Sequence, residues 1–363
     1  EMQTRYLISR SMGRVELATR DVEDPGPGEV VVQHRMTAMS PGTERAGLLG
    51  KVSSGGKWPQ HPGYSGVGDV LAVGEGVNLE VGDRVLTMQD HASIIKDTID
   101  RVFLLEDAVA DEDAAFHRLL QITLQGVRKA RIEIGETVLI VGAGLIGSLA
   151  AQYAYAAGAG RVLVAAPDPV RRAMVEPIAG LQAIDLDVLE PLDVTSAAGR
   201  ERITNDPPGG PAVVIECTGF PEPITMAFAL AGHLARVVLL GSPRGNTDDV
   251  NFYRDVHKKG LTIIGAHDAI RMPNVRDLRF NDGGEAAIAE LVRRSDPTVE
   301  AVPVLWSTRR DVEAAMLMVA SGRVSLSPLI THRVMPDDFE VVYDLLFSSD
   351  PSLMGCLFDW SDG

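Results

Sequence analysis

A chain of this sequence is expected to be α/β, joining a small β-rich unit to a doubly wound parallel sheet. Three observations predict it. Up to about residue 115, short apolar runs are separated by Gly, Pro and Asp clusters; from there to about residue 268, fully apolar strands alternate with helix-length segments; and the first of those strands ends on a Gly-rich turn. In the first stretch, Glu29-Val-Val-Val-Gln33 follows the turn-rich Asp24-Pro-Gly-Pro-Gly28, Gly66–Val73 is closed by Gly74-Glu-Gly76, and Val81–Leu86 comes next. In the second, Thr137–Val141, Arg161–Ala165, Pro211–Ile215, Ala235–Leu240 and Leu261–Gly265 read as strands, with helices over Leu145–Ala157, Pro169–Ala179 and Pro223–Ala231 between them. Strands that are apolar throughout belong to a parallel sheet covered on both faces. Beyond residue 268 the pattern is mixed. Glu285–Arg294, Val312–Ser321 and Asp337–Phe347 are expected helices, and Val324–Val334 is expected to be extended.

Length and composition narrow the functional classes. At 363 residues the chain suits two domains, taking roughly 150 residues for each. Lys and Arg number 34 against 50 Asp and Glu, a formal charge of −16. So acidic a surface repels phosphate backbones and anionic lipid, so neither a nucleic acid nor a membrane is an expected partner; a small-molecule substrate is. Cys217 and Cys356 are the only cysteines, which excludes a disulfide framework and a cysteine-rich zinc lobe. Glu1–Arg10 carries charges where a signal peptide has an apolar core, and the expected setting is soluble, reducing and cytoplasmic.

The Gly-rich turn carries the first chemistry. Gly142-Ala-Gly-Leu-Ile-Gly147 fits G-x-G-x-x-G, directly after the strand Thr137–Val141 and at the start of a helix. Gly142 permits the tight turn, Gly144 lets a pyrophosphate approach the backbone, and Gly147 lets helix and strand pack closely. Leu145 and Ile146 open the helix whose N–H groups face the phosphates. An NAD site carries an acid at the end of the second strand, about 20 residues on. Here that strand ends on Ala166, and Asp168 follows between two prolines. Arg171 and Arg172 come next. A missing acid beside two guanidinium groups favours the 2′-phosphate of NADP, with NAD the alternative. In the plainer reading, Asp168 caps a helix whose solvated face carries both arginines.

These features together resemble the medium-chain dehydrogenase/reductase family, of the zinc-type alcohol, polyol and threonine dehydrogenase kind. Pro25-Gly-Pro-Gly-Glu-Val-Val-Val32 looks like the opening of its GroES-like domain, and Gly63–Val73 with Val81-Gly-Asp-Arg-Val85 like that domain's core. Val214-Ile-Glu-Cys-Thr-Gly219 and Val237-Val-Leu-Leu-Gly241 look like nucleotide-domain signatures, which brings Thr218 and Gly241 to the cofactor. Ile330-Thr-His-Arg333 resembles the return strand of the catalytic domain. The resemblance implies a GroES-like β-rich catalytic domain over 1–124 and 268–363, a Rossmann dinucleotide-binding domain over 125–267, and a cleft between them. It also implies a homodimer or homotetramer joined through the sheet edge at Leu261–Gly265.

The departures from that family are as informative. Where zinc members carry a ligand Cys before Gly-Thr-Asp, this chain reads Ser40-Pro41-Gly42-Thr43-Glu44; where Gly-His-Glu is expected, it reads Gly63-Tyr64-Ser65. The third ligand position falls near His117-Arg118, and a lone His117 does not hold catalytic zinc, which takes three protein ligands and a water. The spacing of His61, His91 and His117 supports no other metal site. The enzyme is therefore expected to work without zinc, interconverting a secondary alcohol and a ketone with NADP or NAD. Hydride transfer to a ketone then needs a hydrogen-bond donor or acid at the oxygen. Tyr64, at the vacated imidazole position, either donates or merely fills the cavity. Thr43 either relays the proton or caps a helix with Glu44 and Arg45. His117 is the third candidate, having an unperturbed pKa of about 6.5. Arg118 orients an anionic substrate or pairs with a carboxylate. Cys217 reads as a small core residue, and Ser65 lacks a nucleophile elbow. Glu44 with Asp90 or Asp83 is a carboxylate pair that nothing in the spacing brings together. The expected substrate is polar and polyhydroxylated, a sugar, cyclitol or specialised metabolite. An enoyl or quinone reductase and a non-catalytic NADP-binding protein are the competing readings.

Overall fold

The computed structural model of the chain describes residues 2–51, 56–105, 108–189, 195–196, 210–268 and 308–361. The chain opens on an antiparallel hairpin, β1 (Met2–Ser11) and β2 (Arg14–Val22), which turns through Gly13 at φ 67°. Then come β3 (Glu29–Ala38), α1 (Pro41–Leu48), β4 (Gly66–Val73), β5 (Arg84–Thr87), β6 (Ile94–Thr98), β7 (Val102–Leu104) and the single turn α2 (Asp111–Ala114). Helix α3 (His117–Ala130) leads into β8 (Thr137–Val141), α4 (Leu145–Ala156), β9 (Arg161–Ala166), α5 (Pro169–Val175) and β10 (Leu181–Asp185). After these follow β11 (Val213–Glu216), α6 (Glu222–Leu230), β12 (Arg236–Leu239), β13 (Thr262–Gly265), α7 (Thr308–Ala320), β14 (Ile330–Val334), α8 (Phe339–Ser348) and β15 (Gly355–Asp359).

Two large sheets result. The parallel one has the order β10-β9-β8-β11-β12-β13, reversing direction of growth between β8 and β11, the switch point at which open α/β sheets bind ligands. Its central strands are apolar on both faces because helices cover both: Val138, Ile140, Val213, Val214, Ile215 and Val237 have no accessible surface. Burying each of these side chains stabilises the fold by roughly 1.5–3 kcal/mol. The other sheet runs β14-β15-β3-β4-β5-β7, with β6 also on β3. Its closing pair is β15 on β3, Leu357 opposite Ala38, so the chain's last strand returns to the first unit. One core runs through both halves, joining Ala38, Val67 and Leu86 to Val138 and Ile140 by way of α3 residues Leu119, Leu120 and Val127. The fold is the expected α/β architecture, a GroES-like β-rich part beside a doubly wound Rossmann part.

Several elements differ from expectation. Residues 324–329 are a turn rather than strand, with Val324, Leu326 and Leu329 buried and Ser327 and Pro328 exposed, in which Leu326 O accepts from Leu329 N at 2.7 Å and Ile330 N at 3.0 Å; only Ile330–Val334 pairs. The strand expected from Val81 starts at Arg84, because Gly82 (φ 93°) and Asp83 make a turn that leaves Val81 exposed. The helix expected over Pro169–Ala179 ends at Val175. The helix expected over Glu285–Arg294 lies outside the described residues. His34, on β3, is fully enclosed between Ala92 O (2.7 Å) and Thr87 Oγ1 (2.6 Å), and burial lowers its pKa to about 4. Among the described residues no helix is long and apolar enough to cross a membrane.

Candidate active site

A cleft of about 970 Å³ separates the two sheets. Its floor is the turn between β8 and α4. Gly142 has φ 106°, and a Cβ there would sit 2.9 Å from Thr218 Cγ2. A Cβ on Gly147 would collide with Gly142 O, so helix and turn approach as only glycine allows. Gly144 is the opposite case. A Cβ on it would meet nothing within 4 Å, since it faces the open cleft. No side chain caps α4, and Leu145 and Ile146 of its first turn line the same space. An uncapped helix N-terminus behind an open glycine fits a pyrophosphate.

Ala166, ending β9, lines the cleft, and so does Asp168. Asp168 is the N-cap of α5, where its Oδ1 accepts from Val170 N (2.8 Å) and Arg171 N (3.2 Å). Arg171 lines the cleft but donates to Leu353 O at 2.8 Å and to Met354 Sδ at 3.2 Å, tying α5 to the residues before β15. Arg172 corrects the sequence reading. It folds back to donate to Ala166 O (2.6 Å) and Pro167 O (2.7 Å), pairs with Asp185 at 3.1 Å, and is not among the cleft's lining. A guanidinium satisfied on three sides by its own strand ends has little left for a phosphate. On the far side, Thr218 and Gly241 line the cleft. A Cβ on Gly241 would lie 2.6 Å from Gly219 N and 2.8 Å from Glu216 Oε2, which explains the glycine. Glu216, fully buried at the end of β11, accepts from Thr218 N at 2.6 Å and from the Thr218 hydroxyl, and burial raises its pKa. Only its place as an acid closing the apolar strand Val213-Val-Ile-Glu216 hinted at it in the sequence. Cys217 lines the cleft, yet burial raises its thiol pKa well above the ordinary value, which keeps it from being a thiolate.

The other end is built by α1 and the segment before β4. Tyr64 lines the cleft, and its phenol donates to Ser40 Oγ at 2.5 Å. Burial raises the Tyr64 pKa; hydrogen bonding with Ser40 and Thr43 and the nearby Arg118 charge oppose that rise. Thr43 lies inside α1 on the cleft, with Ser40 at the helix's N-cap position. Behind them Glu44 is buried, accepting from Ser40 N at 2.8 Å and Tyr343 Oη at 3.0 Å, with His91 Nε2 at 3.3 Å. His91 Nδ1 in turn lies 2.7 Å from Thr37 Oγ1, which also receives the Trp360 indole N–H at 3.0 Å. This network fixes α1, and with it the hydroxyls that hold Tyr64. Arg118 lines the cleft and pairs with Asp268 at 2.7 Å.

His117 requires the second correction. It is the first residue of α3, has no accessible surface, and is not among the cleft's lining. Its Nδ1 stands 3.2 Å from Ala114 O and 3.3 Å from Ser65 Oγ, and its Nε2 has no partner. Burial and the Arg118 charge lower its pKa to about 3, so it is a neutral core imidazole. Neither imagined carboxylate pair forms around Glu44: Asp90 pairs with Arg20 and His61, and Asp83 Oδ2 accepts from Glu80 N. The donors that zinc would need do not fit it either. Pro41 offers no donor atom, the Tyr64 phenol is protonated and engaged with Ser40, and His117 is sealed away from both. Among the described residues no three His, Cys, Asp or Glu side chains are grouped to hold a metal ion. The sequence reading also missed Ser40, Lys51 and Arg244, which line the cleft only because the sheet ends converge there.

Known proteins bear on this geometry. The protein-family model described as zinc-binding dehydrogenase matches residues 146–268. The chain is 23% identical to 2-desacetyl-2-hydroxyethyl bacteriochlorophyllide A dehydrogenase of Rhodobacter capsulatus, covering 99% of each chain. It is 25% identical to L-threonine 3-dehydrogenase of Pyrococcus abyssi, over 91% of each. In fold it matches 2R,3R-butanediol dehydrogenase from Bacillus subtilis with a TM-score of 0.74 at 18% identity, over 98% of this chain and 99% of that one. With a dinucleotide cradle at the switch point and a return strand that closes the β-rich half, the chain is similar along nearly its whole length to medium-chain dehydrogenases of the zinc-type threonine and polyol kind, and its residues 146–268 match the zinc-binding dehydrogenase model.

Proposed function

We propose that this chain interconverts a secondary alcohol and a ketone with a nicotinamide dinucleotide and without zinc, Tyr64 handling the proton at the substrate oxygen. The observation that carries the reading is the Tyr64 phenol itself, standing in the cleft and held through Ser40 and Thr43. Gly142, Gly144, Leu145, Ile146 and Gly147 would hold the pyrophosphate; Ala166, Asp168 and Arg171 would border the adenosine; Thr218 and Gly241 would line the rest of the cofactor's path. When bound, the dinucleotide supplies the hydride in reduction and accepts it in oxidation.

In reduction Tyr64 gives its phenolic proton to the carbonyl oxygen, and the hydroxyls of Ser40 and Thr43 turn toward the oxygen it leaves behind. Burial keeps the phenol protonated at neutral pH, which suits an acid. Apolar residues Met88, Leu119 and Ile122 line the cleft and keep water from the reacting atoms. The substrate is polar and polyhydroxylated, as the polar lining Ser40, Thr43, Tyr64 and Arg118 suits. NADP is favoured over NAD because β9 ends on Ala166, with Arg171 the guanidinium beside it in the cleft. We place the catalytic half at 1–124 and 268–363 and the nucleotide half at 125–267. Two copies join through the exposed edge of β13.

The test is turnover of chelator-treated protein with NADPH or NADH across ketoses, cyclitol ketones, simple ketones and apolar enones, with zinc determined on the same sample. Ketone turnover without zinc is the expected result. A requirement for stoichiometric zinc, or turnover of enones alone, overturns it, and tight cofactor binding with no turnover makes the chain a binding protein. Calorimetry with the two cofactors decides between NADP and NAD. Sedimentation of a species at twice the 38.9 kDa chain mass is expected of the dimer.

A further inference from the structure

On a chain carrying −16, the cleft is lined by six cationic side chains, Arg45, Lys51, Arg101, Arg118, Arg171 and Arg244, against three acids, Asp168, Asp268 and Asp350. Most of these are accounted for. Arg118 pairs with Asp268, Arg101 lies 3.5 Å from Asp97 and donates to Met88 O, and Arg171 holds Leu353 O. Asp168 caps α5, and Asp350 accepts from Ser352. Arg244 stands apart. It follows β12 in Gly241-Ser-Pro-Arg244, is half-buried, and has neither an ion pair nor a hydrogen bond with a described residue. Lys51 is also half-buried and without either; it lies over the Phe220 ring at 5.4 Å. Burial is the main cause lowering the Lys51 pKa, and the Arg45 and Arg244 charges lower it further against the opposing Glu222 charge, so the three cations crowd one side of the cleft; Arg45 Nε also donates to Leu346 O at 3.1 Å. Arg244 and Tyr64 interact electrostatically, which puts that side at the reacting end rather than at the Gly142–Gly147 turn.

Partly desolvated like charges with Glu222 as the one acid recorded acting on Lys51 are unfavourable in an empty protein and favourable once an anion arrives. A cofactor phosphate belongs at the glycine turn. We propose that Arg244, with Lys51 and Arg45, forms a subsite for an anionic group, carboxylate or phosphate, carried by the substrate. The substrate class is then a hydroxy acid or a polyol phosphate rather than a neutral polyol. This rests on the dehydrogenase reading of the cleft and adds the charge its substrate carries. Guanidinium suits the role because its planar fork matches either oxyanion.

The test titrates NADPH-loaded protein calorimetrically with inorganic phosphate, malonate and neutral glycerol, the cofactor already occupying its own phosphate site. Phosphate or malonate is expected to bind and glycerol not to; whichever anion binds identifies the group. Arg244→Gln is expected to weaken that binding at least about tenfold, Arg244→Lys to recover part of it, and both to keep the wild-type Tm and NADPH affinity. The subsite is overturned if neither anion binds, if Arg244→Gln leaves anion binding unchanged, or if it weakens NADPH instead, which makes Arg244 a cofactor contact. Failure of the wild type to bind NADPH strikes the dehydrogenase reading itself and is distinguishable from each of these.

Discussion

Tyr64 differs from an ordinary surface tyrosine in being raised in pKa by burial while two hydroxyls hold its oxygen. Replacing it with Phe removes one oxygen and little volume. Tyr64→Phe is therefore expected to keep the Tm and NADPH affinity while ketone reduction falls about 100-fold or more, as loss of a general acid does. Steady-state kinetics beside a melting curve checks this, and unchanged turnover would reduce Tyr64 to a cavity filler. The pH dependence has a definite sign. Reduction needs the protonated phenol, so the rate should stay level through neutrality and fall only above about pH 10. Tyr64, Thr43 and Pro41 were legible in the sequence because they interrupt a motif. His117 was misread because burial cannot be seen in a lone histidine: only the start of α3 at that residue seals it. Arg172 was misread because its partners, Ala166 O and Asp185, end neighbouring strands whose pairing the sequence does not display.

At the scale of the element, the β8 turn separates two kinds of glycine. Gly144→Ala adds a methyl where nothing stands within 4 Å, so the fold should hold its Tm while cofactor Kd rises about tenfold, because the methyl enters the pyrophosphate's space. Gly147→Ala drives a methyl into Gly142 O and should lower stability by about 1–3 kcal/mol, as overpacking does. Melting curves and calorimetric titration of the two variants separate these effects, and equal loss of stability in both would refute the distinction. The parallel sheet was the most legible part of the fold, since strands covered on both faces write an unbroken apolar run into the sequence. The β1–β2 hairpin was not legible, because β2 is largely exposed and its charges mask the alternation. Nor was β15 read as a strand: its antiparallel partner β3 is remote in sequence, and pairing across such a distance leaves no local periodicity.

For the whole molecule, two of the enclosed histidines, His34 and His117, contribute to the response to acid. His34 and His117 have folded pKa values of about 4 and about 3, below the unfolded value near 6.5. The unfolded chain therefore binds protons that the folded chain refuses. Their contribution is complete above pH 6.5 and is lost as pH falls through the interval below it. Each should cost about 1 kcal/mol by pH 5.5. A urea midpoint that drops between pH 7 and pH 5.5, with a shallower drop in His117→Gln, is the expected observation; a flat midpoint would mean that both sites admit water.

The guanidinium of Arg171 reaches from α5 to Leu353 and Met354, stitching the nucleotide half to the residues that enter β15. The stitch is not alone, since Gln152 exchanges hydrogen bonds with Ser325 and Arg128 pairs with Asp311 across the same two halves, so cutting it would loosen the adenosine end while leaving the halves joined.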